Sequence, residues 1–104
     1  MKHAFLIAAV LLSTSVAQAE NTANADKVCK RWGDLAAKIM QLRQMETPMS
    51  RVIEIAAEGE KDSISRQIVT QAYEQPAYST KTHQARAVDS FRNRIELACF
   101  KSDK

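Results

Sequence analysis

Glycine and proline are nearly missing from this chain, with two of each in 104 residues. Gly33 and Gly59 stand alone, so no glycine-rich loop is available to cradle a phosphate. No Gly-x-Ser-x-Gly turn exists to expose a nucleophilic serine. Histidine is as scarce: His3 lies in the opening segment, which leaves His83. One imidazole without partners at helical or knuckle spacing makes no zinc site. The two cysteines lack the Cys-x-x-Cys spacing that lowers a thiol pKa, so dithiol redox catalysis is not indicated. No segment alternates apolar and polar residues for long enough to be a strand. The formal net charge is only +3, and both signs are interspersed. A nucleic-acid binder needs a one-sided basic stripe instead. The reading is therefore of a non-enzyme with no cofactor, no metal and no nucleic-acid partner.

What is present begins with the first 19 residues, MKHAFLIAAVLLSTSVAQA. Lys2 supplies a positive start, Ala4 to Leu12 is unbroken apolar sequence, and Ala17-Gln18-Ala19 is a small-x-small cleavage signal. The apolar run makes only about 14 Å of helix, against roughly 30 Å of membrane hydrocarbon. It reads as a cleaved signal peptide over residues 1–19, not as a membrane anchor. One small domain over residues 20–104 follows, in a periplasmic or secreted setting. No lipoprotein box precedes Cys29. Two cysteines in an oxidising compartment allow one intramolecular bridge, Cys29–Cys99, the alternative being two buried free thiols. The bridge would close a loop of about 70 residues, for which chain entropy gives about 4 kcal/mol.

The periodicity predicts four helices. Glu20 to Ala25 is polar and reads as a frayed start, with Asn24 as a cap. The first helix runs from Ala25 to Met45, with Val28, Trp32, Leu35, Ile39 and Leu42 as its inward stripe. Gly33 weakens that helix and lets a neighbour approach beside Trp32. Thr47 caps a second helix, Pro48 to Glu58, with Pro48 at its first position and Gly59 ending it. Asp62 or Ser63 caps a third, Ser63 to Glu74, lined by Ile64, Ile68 and Ala72. Pro76 stops it and pushes Gln75 toward extended geometry. Ser79 or Thr80 caps the fourth, which runs to Lys101 with Val88, Phe91, Ile95 and Ala98 inward. The fold class is all-α: two long antiparallel terminal helices joined by a disulfide, with two short helices between them.

Two features could face a partner. Met40, Met45 and Met49 gather at the first turn, as adaptable contact surface or as core filling. Tyr73, Pro76 and Tyr78 make an aromatic corner before the last helix, which is either a contact knob or an internal plug. With Arg86, Arg92 and Arg94 on that helix they form the candidate partner surface. Catalytic alternatives are thinner. His83 has Ser79, Asp89 and Ser90 near it in sequence, and Glu54 and Glu58 pair on the second helix. Paired carboxylates can cut glycosidic bonds, but only in a cleft this small helical domain does not promise. Leu97 and Phe100 fit either core positions or a homodimer face.

The runs IMQLRQMETPMSRVIEIA, IVTQAYEQPAYST and AVDSFRNRIELACFK, with Cys29 upstream, are similar to small exported proteobacterial helical proteins, phage-associated ones among them, of unknown function. The resemblance spans Cys29 to Lys101 and is carried by Cys29, Arg43-Gln44, Ala72-Tyr73, Pro76, Phe91-Arg92 and Cys99. It implies the disulfide and the domain boundaries, and no catalytic residue. The leading expectation is a periplasmic protein-binding module of inhibitor or immunity type. The alternatives are a small acid-stress chaperone and, last, a small hydrolase using Glu54, Glu58 or His83.

Overall fold

The computed structural model describes residues 2–57 and 63–102. Four helices follow one another: α1 (Lys2–Gln44), α2 (Met49–Ala56), α3 (Ile64–Glu74) and α4 (Lys81–Ser102). No strand occurs among the described residues. A disulfide joins Cys29 to Cys99, with Cα atoms 5.5 Å apart, so the long helices run antiparallel. The all-α architecture with two short helices between two long ones is the one expected.

The start of α1 differs. It begins at Lys2 rather than Ala25, and the stretch 20–25 is helical, with Asn24 inside it instead of capping it. No proline or glycine interrupts the chain before Gly33, and Ala17, Ala19, Ala23 and Ala25 are strong helix formers. From Thr22 to Val28 no side chain is buried, whereas Cys29, at the disulfide, is fully buried.

The buried face of α1 is broader than the expected stripe. Ile39 is buried and Trp32, Leu35 and Leu42 pack half-buried against the core, but Val28 is exposed, and Cys29, Gly33, Ala36, Met40 and Gln44 are buried as well. The reason is steric. Gly33 keeps the α1 surface low where α4 crosses it, and the small Ala36 and Ala37 are buried on the same helix. A Cβ on Gly33 would fall 2.7 Å from Cδ of Glu96, so the Glu96 side chain lies directly across the glycine. Ile39, Met40, Val52, Ile68, Val69, Ala72, Phe91 and Ile95 complete one core. Ile64 and Ala98, expected inside, are exposed.

The turns follow local chemistry. The α1 terminus is a Schellman motif: the Thr47 N–H donates to Leu42 O (3.0 Å) and the Glu46 N–H to Arg43 O (2.9 Å). Glu46 occupies the left-handed position at φ 60°, where a Cβ costs roughly 1–2 kcal/mol and glycine is the usual residue. Glu46→Gly should therefore raise stability by about 1 kcal/mol, read as a higher urea midpoint at unchanged slope. Pro48, with φ −56° and ψ 136°, is the N-cap of α2 instead of its first residue, and no side chain caps that helix. Thr47 therefore does not act as the expected cap. Ser63 caps α3 by accepting the Arg66 N–H at 3.1 Å. Thr80 caps α4 by accepting the His83 N–H at 3.2 Å. Gln75, ahead of Pro76, is extended as expected. Asp62 as a cap, Gly59 as a terminator and Glu58 as a carboxylate partner of Glu54 lie outside the described residues.

Candidate functional site

α3 and α4 each pack against α1 but scarcely touch one another. Their facing sides leave a furrow with α1 as its floor. At one end it is lined by Met40, Gln75, Tyr78, Arg86, Phe91 and Arg94, together with His83, Ala87 and Ser90, and encloses about 260 Å³. At the disulfide end it is lined by Trp32, Ile64, Gln67, Ile68, Gln71 and Ile95, together with Ala98, Cys99 and Ser102, and encloses about 200 Å³. The bridge therefore borders the same groove as the Trp32 ring.

Three of the six candidate partner residues meet here. Tyr78, Arg86 and Arg94 line the loop end of the furrow, and all three are exposed. The other three serve the frame. The Tyr73 hydroxyl donates to the Thr47 carbonyl oxygen, and the Arg43 guanidinium lies 5.1 Å from the Tyr73 ring centre. Burial raises the Tyr73 pKa above that of a free phenol, and the Arg43 charge partly opposes the rise. Pro76 offers its carbonyl oxygen to Gln44 Nε2 at 2.9 Å. Arg92 Nη1 donates to Asp34 Oδ1 at 2.5 Å and ties α4 to α1.

Gln44 is a buried polar side chain whose role the apolar periodicity does not reveal. Its amide donates to the Pro76 carbonyl and its Oε1 accepts the Tyr78 N–H at 2.8 Å. Arg43 Nε adds a bond to the Gln75 carbonyl oxygen at 3.0 Å. Two adjacent residues of α1 thus hold the 75–78 loop and set Tyr78 on the furrow rim. Arg43, Gln44, Tyr73 and Pro76 are these tie points, and Arg92 ties α4 to α1. Gln44→Ala leaves a loop carbonyl and an amide unpaired and should cost about 1–3 kcal/mol. The check is equilibrium unfolding, with faster amide exchange at Tyr78.

Asp34 also takes an ion pair from Lys30 at 3.5 Å. The hydrogen bond from Arg92 holds its carboxyl below the usual aspartate range, more strongly than desolvation raises it. A depressed carboxylate pKa adds stability above the unfolded value of about 3.9 and loses it as pH falls through the folded one. Asp34→Asn should melt below the parent at pH 6, and the gap should narrow as pH falls through the depressed carboxylate pKa.

The other described candidates, His83, Asp89, Ser90 and Glu54, are not brought together. His83 Nδ1 lies 2.8 Å from Thr80 Oγ1, and the imidazole stands 5.9 Å from the Tyr78 ring, tilted 39°. Ser90 shares the furrow with His83, but two turns of α4 separate them; Asp89 faces another side of the helix. Glu54 is exposed on α2. Among the described residues, no three His, Cys, Asp or Glu side chains could hold a metal ion together. No helix is long and apolar enough among them to cross a membrane. The methionines divide: Met40 is core, Met49 packs at its edge and Met45 is exposed. Compared with known proteins, the chain matches no family model, no curated protein and no solved structure.

Proposed function

We propose that this chain is an exported, periplasmic protein-binding module without enzymatic activity, acting as an inhibitor or immunity-like partner. The observation that carries this reading is the furrow. It is open along two helices, walled by Arg86, Arg94 and Tyr78, and built on a disulfide-stapled frame. The apolar leader with its Ala17-Gln18-Ala19 signal and the oxidised cysteine pair support export. The resemblance to small exported proteobacterial proteins belongs to the same reading. Rigid helices presenting exposed tyrosine and arginine suit a stoichiometric partner, since these residue types dominate binding hot spots.

The test is capture of partners from periplasmic extract of the host by the oxidised protein, beside the variant Arg86→Glu/Arg94→Glu and the control Arg51→Glu on α2. One stoichiometric partner, retained by the control and weakened at least about tenfold by the double reversal, is the expected result. Equal capture by all three would refute the assignment of the surface. The alternative, an acid-stress chaperone, draws on Ile55, Ile64, Leu97 and Phe100, which are exposed apolar side chains. It calls for further apolar surface to open in acid, where the Asp34–Arg92 tie weakens. Flat binding of a hydrophobic dye down to about pH 2 would remove it.

A further inference from the structure

We infer that the furrow seats an amphipathic helix of a partner protein. That helix carries carboxylates where it meets Arg86 and Arg94, and apolar side chains where it covers Trp32. The inference rests on the furrow being the binding face and adds what the partner must look like.

Three properties of the furrow point to this occupant. The first is the run of its α4 wall. The α4 residues lining the two cavities, from His83 to Ser102, span about 28 Å at 1.5 Å per residue, which is about five helical turns. The second is the shape and chemistry of its walls. Ala87, Ser90, Ala98 and Ser102 are short, so a docked helix can approach α4 to the usual interaxial distance of about 8–10 Å. On the α3 side Gln67, Gln71 and Gln75 stand four residues apart, each with amide donors and an acceptor for the polar edge of a neighbour. Between the walls the half-buried Trp32 and the exposed Ile64 offer apolar surface above the buried Ile68, Phe91 and Ile95. An extended segment laid over this apolar surface would leave backbone N–H and C=O groups unpaired. A helix satisfies its own. The third is charge. No Asp or Glu is among the described residues lining either end, while Arg86 and Arg94 stand with His83 at one end. A carboxylate is attracted there and a lysine is repelled.

Trp32 is the only tryptophan and lies in the furrow, so its fluorescence reports occupancy. The probes are three synthetic peptides of about 18 residues sharing one apolar face. The first has glutamates clustered on the turns at one end, the second has lysines there, and the third has the glutamates but two central prolines that prevent a helix. With the oxidised protein, the glutamate helix should shift Trp32 emission saturably. The lysine and proline peptides should bind at least about tenfold more weakly. Arg86→Glu/Arg94→Glu should exchange the order of the glutamate and lysine peptides. Equal affinity for the glutamate and lysine helices, undiminished binding of the proline peptide, or no response to any of them would overturn the inference. So would a dimer, seen by sedimentation equilibrium, that shields Trp32 and excludes the peptides. A natural partner cross-linked to the furrow through an extended segment would overturn the helix and leave the furrow as the binding face. A partner cross-linked only to the outer face of α2 would overturn both.

Discussion

Replacing Cys29 and Cys99 together by alanine should lower stability by about 4 kcal/mol. The bridge spans 70 positions of sequence, and closing a loop of that size removes about that much free energy from the unfolded chain. A domain this small holds only about 5–15 kcal/mol in total. The loss should therefore leave a measurable unfolded fraction in mild urea. Cys29 is fully buried, and alanine in its place adds a small cavity to the entropic loss. The consequence is also local, because Cys99 borders the furrow beside Trp32. Without the bridge the disulfide end of α4 is free to part from α1, so Trp32 should become more quenchable before global unfolding. Urea unfolding of the oxidised protein and of the double variant measures the difference. A shift below 1 kcal/mol would show that α1 and α4 hold together without the staple.

Phe91→Ala should cost about 3–5 kcal/mol, the range for deleting a buried aromatic ring. Phe91 is 2% exposed and belongs to the core shared by α1, α3 and α4. It also lines the furrow beneath Tyr78 and Arg94. Its removal should therefore deepen the furrow as well as weaken the fold. Phe91→Leu keeps much of the volume and should recover more than half of the loss. Thermal melts of the three proteins, with helix content followed by circular dichroism, give the comparison. Equal stability of the alanine and leucine variants would mean that the ring is not packed.

Much of this frame is legible in the residues. Ser63, Pro76 and Thr80 mark helix ends through local hydrogen bonding and φ restriction, which act over a few residues and need no tertiary context. The cysteine pair is readable because two cysteines allow a single pairing. The full buried face of α1 is not readable from large apolar side chains alone. It also takes in Gly33, Ala36 and Ala37, and at Gly33 the contribution is closeness of approach rather than hydrophobic area. Glu46 in a left-handed turn is equally hidden, since glycine marks such positions and glutamate does not. Of the candidate surface, Tyr78, Arg86 and Arg94 converge because α4 presents them at helical spacing beside the loop. Arg92, two residues from Arg94, points toward Asp34 instead, and only the docking of α4 on α1 decides that. Tyr73 and Pro76 became frame residues through Arg43 and Gln44, more than 25 positions away. No periodicity carries such long-range polar contacts.

The uncovered furrow between α3 and α4 is tested most directly by photo-cross-linking in the living host. A photoreactive amino acid would replace Ser90 on the furrow wall, or Glu54 on the exposed side of α2. The account predicts one discrete adduct from position 90, lost in the Arg86→Glu/Arg94→Glu background, and none from position 54. An adduct from 54 alone, or from both positions equally, would contradict it.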